Sequence, residues 1–264
     1  MKLCLPEGWY GKRATIIDTF NYTGLVALVG PNGSGKSAII HGIEAATTGV
    51  ATDLGFRATS KLARNWPGDP KAVTIDPPVA PVAGEVKSIQ GVLDILASSR
   101  DTQLMWLLEF WGRPERLGVL DAKLKLKRLK EEIEVAKIRG AAYQDIETNH
   151  DLLNQRIKDE MDRLAATVPV DCVCWHERGL WDPRRGFCHP DPGYAFSGAE
   201  SIKVALEIIS QLEIPLNYIC LPDRQYDKHS LIYFHEWARG SKRLVFVALV
   251  YMPYVGKVIQ VEYI

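Results

Sequence analysis

The chain has 264 residues, 32 Lys+Arg against 32 Asp+Glu, and 47% hydrophobic and 24% charged residues. Those fractions belong to an ordinary globular protein and exclude disorder, collagen and a disulfide scaffold. A net charge of zero offers nucleic acid or anionic lipid no whole-molecule attraction, so any such partner has to be held by a local patch.

The opening MKLCLPEGWY lacks the apolar region and cleavage site of a secretory signal, and five cysteines (Cys4, Cys172, Cys174, Cys188, Cys220) are an odd number. A reducing, cytoplasmic location is expected. The longest apolar run, Leu244 to Val255, contains Pro253 and falls short of the roughly twenty residues of a spanning helix, so no membrane role is expected.

Along the chain, Ala14 to Phe20 and Leu25 to Val29 read as strands, and Lys36 to about Ala46 as a helix. Five prolines between Pro67 and Pro81 forbid a helix and leave room for a short strand at Ala72 to Ile75. Helical periodicity returns over Val86 to Phe110. From Leu117 to Thr167 the sequence is dense in Lys, Glu, Leu and Ile, with Leu126, Leu129, Ile133 and Ala136 at heptad spacing. Leu153, Ile157, Met161 and Leu164 form a second such face on a helix expected to start near Asp151, with Gly140 to His150 as the link. An antiparallel helical hairpin is the simplest reading; two amphipathic helices lying on the globular body is the alternative.

Beyond Pro169, Val170 to His176, Leu216 to Leu221 and Leu244 to Leu249 read as strands, and Glu200 to Leu212 and Leu231 to Ala238 as helices. Alternating strands and helices predict an α/β fold with a mostly parallel sheet, interrupted by the hairpin. Three segments follow: an N-terminal lobe over 1–116, the hairpin over 117–167 and a C-terminal lobe over 168–264, the two lobes forming one head.

Gly30, Pro31, Asn32, Gly33, Ser34, Gly35, Lys36 and Ser37 match G-x-x-x-x-G-K-[ST], set between an apolar strand and a helix as that pattern requires. Gly33 and Gly35 allow a backbone nest whose N–H groups face phosphate, and the following helix adds the positive end of its dipole. Lys36 is placed to bridge the terminal phosphates of ATP, and the Ser37 hydroxyl to hold Mg²⁺.

GPNGSGKSAIIHGIEA, together with Phe196-Ser197-Gly198-Ala199-Glu200 ahead of an amphipathic helix, resembles the ABC-type ATPase heads of chromosome maintenance and DNA repair, the SMC, SbcC, RecF and RecN group. The resemblance rests on those two motifs, with architecture alone elsewhere. It implies a P-loop NTPase of ABC-head type in which Ser197 and Gly198, with Glu200 in the same motif, meet the nucleotide held by Lys36 of a second copy. That is a homodimer through an ATP sandwich, acting on double-stranded DNA in repair, recombination or genome maintenance, with a nuclease or another protein as a further partner. A transport ATPase subunit fits less well, because the helical insert is too long.

The same resemblance expects Asp-Glu after an apolar strand. Tyr218 to Asp223 supplies the strand and a carboxylate for Mg²⁺, but Arg224 stands where the family has glutamate. Arginine stays protonated and cannot act as a base. The family's switch histidine is also missing near Val250 to Met252. Hydrolysis is therefore expected to be slow or partner-stimulated, and the alternative is a hydrolysis-poor ATP sensor that gates assembly with a protein partner. Gln90 is a candidate for the family's metal-linking glutamine, with an ordinary surface glutamine the simpler reading.

Two clusters remain. Cys172, Cys174, His176 and Cys188 offer a tetrahedral zinc set if a hairpin returns Cys188 to the others, but C-x-x-C spacing is absent and strand cysteines are commonly plain core. Lys123, Lys125, Lys127, Arg128 and Lys130 form a basic stripe followed at once by Glu131, Glu132 and Glu134. Either it contacts duplex phosphates or it is a solvated helix face. Arg57, Lys61, Arg64, Arg184 and Arg185 are further candidates for phosphate contact.

Overall fold

The computed structural model describes residues 2–5, 15–18, 23–30, 35–48, 74–76, 88–140, 142–170, 173–175, 178–189, 191, 193–222, 224–250 and 259–262. They fall into two compact units, one of residues 1–94 and 197–264, the other of residues 95–196.

In the first unit, β1 (Lys2–Leu5) pairs antiparallel with β2 (Thr15–Asp18) and with β4 (Thr74–Asp76). The main sheet holds β3 (Gly24–Val29), β9 (Tyr218–Cys220), β10 (Leu244–Leu249) and β11 (Ile259–Glu262) in the order β11-β3-β10-β9, every neighbour parallel. Leu25, Val26, Ala27 and Leu28 in β3 and all six residues of β10 are buried. Such unbroken apolar runs belong to strands covered on both faces. Helices α1 (Lys36–Thr48), α6 (Gly198–Gln211) and α7 (Lys228–Gly240) complete the unit, with the first turns of α2 (Ile89–Leu96). Between α6 and α7, the Tyr233 hydroxyl donates to Glu207 Oε1 at 2.5 Å, and burial pushes the Tyr233 phenol up. This is an α/β fold with a parallel sheet, as the alternation of strands and helices requires.

The N-terminus of α7 shows how local chemistry sets an end. Asp227 accepts from Ser230 N at 2.7 Å, and that amide, more than the charges around it, holds the Asp227 carboxyl below the usual aspartate range. The depressed value means that the folded state favours the carboxylate. Its stabilisation is present above the unfolded pKa and is lost as pH falls through the folded one. Asp227→Ala is expected to lower unfolding free energy by about 1 kcal/mol at pH 7, and the gap from wild type to close in acid below the usual aspartate value. Urea titrations at both pH values check this.

The second unit is built on α3 (Arg100–Phe110), α4 (Glu115–Ile138) and α5 (Gln144–Ala166). It also holds two small antiparallel pairs, β5 (Cys174–Trp175) with β6 (Arg178–Gly179) and β7 (Trp181–Asp182) with β8 (Gly186–Phe187). Helices α4 and α5 pack as an antiparallel hairpin: Glu115, Gly118, Val119 and Ala122 face Leu153, Arg156, Ile157 and Glu160 across a narrow notch. The Trp181 indole donates to Ala165 O at 3.1 Å and meets the Phe187 ring edge-on, which anchors the β7–β8 pair on the end of α5.

Several boundaries differ from the sequence reading. The helical stretch 86–110 is two helices, because Ser99 turns out of the helix and its side chain caps Thr102 N. The hairpin link is Arg139 to Tyr143, and α5 begins at Gln144, seven residues before Asp151. Gly140 ends α4 in a left-handed conformation with φ 62°, and Asp145 and Glu147 suit the first turn of α5. Of the strand expected over Val170 to His176, Cys174–Trp175 is extended. No described helix is long and apolar enough to cross a membrane.

Candidate functional site

The parallel sheet brings the C-terminal ends of β3, β9 and β10 to one edge, the edge where α/β sheets bind ligands. At the end of β3, Gly30 N donates to Leu249 O at 3.1 Å, so the first glycine of the phosphate loop is tied to the neighbouring strand. Gly35 has φ 104°, a conformation that side chains resist, and its carbonyl accepts from Ile39 N at 3.2 Å. The helix therefore starts immediately after a turn that glycine alone makes easily.

Lys36 is only 7% exposed, and its ammonium donates to Gly30 O at 2.7 Å. This hydrogen bond ties the two described ends of the loop together and holds the positive charge beside them. Ser37 is half-buried in the first turn of α1. Pro31, Asn32, Gly33 and Ser34 lie outside the described residues. The ends of the loop that are described fit a polyphosphate: a glycine turn, a helix N-terminus and a held ammonium.

The β9 edge is fixed to the same helix. The buried Cys220 thiol lies 3.8 Å from Ile40 O, and burial raises its pKa well above the ordinary thiol value. Leu221 N donates to Phe246 O at 2.8 Å, and the Tyr226 hydroxyl donates to Pro222 O at 2.6 Å. Leu221, Pro222 and Tyr226, the described neighbours of the candidate carboxylate in sequence, are thus each tied by a hydrogen bond. Asp223 itself lies outside the described residues.

Ser197 caps α6. Its hydroxyl accepts from Glu200 N at 3.3 Å, the Glu200 carboxylate accepts from Ser197 N at 2.8 Å, and the Ser201 hydroxyl donates to Ser197 O at 3.0 Å. This capping box accounts for serine and glutamate at that spacing without any ligand. Gly198 is a separate matter. A Cβ there would lie 2.5 Å from Arg224 Nη1, so the guanidinium sits directly over the first residue of α6. The sequence marked Arg224 only as a departure after the expected carboxylate; its contact with Gly198 depends on how α6 and the β9 turn meet.

The remaining candidates separate. Gln90 is exposed and its amide donates to Asp94 Oδ1 at 2.7 Å, an ordinary pairing of one helical turn. The side chains of Cys172, Cys174 and His176 are outside the described residues. Cys188 is half-buried and free, and burial raises its thiol pKa. Among the described residues no group of three His, Cys, Asp or Glu side chains could hold a metal ion. Arg57, Lys61 and Arg64 are outside the described residues. Arg184 is exposed, and Arg185 is engaged with Asp182 at 3.0 Å. On α4, Lys125, Lys127, Arg128 and Lys130 are exposed and Lys123 half-buried. None of the five forms an ion pair with a described residue.

A parallel α/β sheet whose apolar strand β3 leads through Gly30 and Gly35 to a lysine at the first position of a helix defines a P-loop nucleotide-binding protein. The chain matches the family described as AAA domain over residues 8–178, and it belongs to that family, an AAA-type P-loop ATPase. The match covers the phosphate loop and the hairpin and ends before Ser197 and Asp223. No curated protein matches the chain.

Proposed function

We propose that this chain is an SMC/RecF-like ATPase head that dimerises on ATP and acts on DNA in repair, recombination or genome maintenance. The observation that carries the nucleotide part is Lys36, buried at the start of α1 and bonded to Gly30 O across the loop. Lys36 binds the terminal phosphates and the backbone turn at Gly35 orients them; Ser37 and Asp223 would hold Mg²⁺, which would supply neutralisation of phosphate charge. Ser197 and Gly198 at the N-terminus of α6 receive the γ-phosphate held by a second copy. The exposed cations of α4 contact duplex phosphates without reading sequence. A nuclease or another protein is the partner that uses the ATP cycle.

ATP turnover with and without double-stranded DNA tests this. Slow basal hydrolysis is expected, raised severalfold by DNA at low salt and lost in Asp223→Asn. Turnover indifferent to DNA would remove the DNA reading while leaving the nucleotide site standing.

A second reading is favoured by Arg224, a cation over Gly198 where a general base is expected. In that reading ATP binding gates assembly and little is hydrolysed. Turnover that stays at the buffer rate with every partner supports it.

A further inference from the structure

Helix α4 is apolar on two opposite sides. Val119, Ala122, Leu126, Leu129, Ile133 and Ala136 are buried or half-buried along the α5 seam. The large apolar residues left exposed are Leu117 at 62%, Leu120 at 40%, Leu124 at 51%, Val135 at 45% and Ile138 at 85%. At about 100° per residue the exposed set lies half a turn from the seam: Leu124 and Ile133 are nine residues apart and point in opposite directions. A helix with two opposed apolar stripes is built to lie between two partners, and α5 covers only one.

The middle of the open stripe is charged, and its charges are ordered. Lys123, Lys125, Lys127, Arg128 and Lys130 come first; Glu131, Glu132 and Glu134 follow. Among the described residues, the one ion pair in this block is the exposed Glu134–Lys137 contact at 3.5 Å. A basic half followed by an acidic half is complementary to itself when reversed.

We propose that α4 docks antiparallel on α4 of a second copy of this chain, about a two-fold axis between positions 129 and 130. In that register Leu124 faces Val135, Arg128 faces Glu131, and Lys125 and Lys127 reach Glu132 and Glu134, each pairing occurring twice by symmetry. Outside this centre the match is poorer: Ile138 falls opposite Asp121, Leu120 opposite Arg139, and Leu117 beyond the end of the partner's α4. A parallel pairing sets Arg128 against Arg128. A slip of one turn gains two apolar pairs, Leu117 on Ile138 and Leu120 on Val135, but sets Lys127 against Arg128 and Lys125 against Lys130. Charge therefore selects both direction and register. This contact needs no nucleotide and stands apart from the ATP-dependent dimer proposed above. It occupies three of the cations otherwise available to duplex phosphates.

Sedimentation of the full chain without nucleotide, at low salt, tests the docking. A dimer is expected for the wild type and for the nucleotide-site variant Lys36→Ala. Arg128→Glu and Glu131→Arg are each expected to weaken it at least about tenfold, since each sets like charges together. The swapped pair R128E/E131R restores the homodimer, and mixing the two single variants yields a heterodimer. Circular dichroism confirms that each variant keeps its helices. A wild-type chain monomeric at about 100 μM overturns the proposal, as does a dimer that neither single charge reversal weakens. If Arg128→Glu reduces only duplex DNA binding, with no nucleotide-free dimer, the stripe is a nucleic-acid surface and the proposal falls.

Discussion

Lys36→Ala is expected to weaken ATP binding about 100-fold while leaving the chain folded, as read by isothermal titration of both proteins and their thermal melting. The ammonium is buried, and it donates to Gly30 O at 2.7 Å. Its side chain therefore reaches the loop in a single geometry and needs little ordering when phosphate arrives. A charge-assisted hydrogen bond contributes about 1.5–3 kcal/mol, and the upper end of that range is about two decades in Kd. Alanine also removes a positive charge held at the ends of the loop. Stability should change little, because Ile39 N still bonds Gly35 O and Ile39 and Ile43 remain buried in the same core. Undiminished ATP binding by Lys36→Ala would remove the nucleotide site and both functional readings with it.

The second large effect is structural and lies in residues 95–196. Gln103 is 2% exposed, and its amide serves three backbone groups: Nε2 donates to Leu96 O and Ser98 O at 3.1 Å each, and Oε1 accepts from Phe187 N at 2.7 Å. It thus joins the turn before α3 to β8. Gly186, beside Phe187, has φ 82°, and a Cβ there would collide with Gln103 Oε1 and come within 3.2 Å of the Arg100 Cα. Gln103→Leu leaves a buried N–H and two carbonyls short of partners, and Gly186→Ala combines a strained backbone with displacement of the amide. Each is expected to destabilise this unit by about 3 kcal/mol, lowering its melting temperature by about 10 °C or more. Gln103→Glu keeps the acceptor for Phe187 N and loses both donations, so it should fall between wild type and leucine. Melting within 2 °C of wild type for both Gln103→Leu and Gly186→Ala would contradict this role.

Much of the fold was legible because local chemistry and tertiary packing agree. The apolar runs of β3 and β10 announce strands covered on both faces, and the glycine turn at Gly35 with Lys36 after it announces the start of α1. Ser197 and Glu200 announce a capped helix, and the heptad spacing on α4 and α5 announces a seam. The misread boundaries lie where two local signals competed. Helix periodicity runs unbroken through Ser98 and Ser99, and only the cap at Thr102 N shows the break. The polar segment Gln144 to His150 resembles a loop until Asp145 and Glu147 are seen in a helical first turn.

The sequence by itself determined that this is a P-loop protein, because a phosphate nest requires glycine, lysine and a helix start at fixed local spacing. It also marked two amphipathic helices, because a buried face requires an apolar residue on every turn, but it left open whether they pack on each other or on the body. Only the tertiary structure decided that β10 lies between β3 and β9, since a strand's neighbours are chosen by the crossover that follows it and not by its own residues. It alone set Arg224 over Gly198, and it showed α4 carrying a second apolar stripe that α5 leaves uncovered. These are relations between segments far apart in the chain, and no local pattern encodes which of several apolar faces will find a partner.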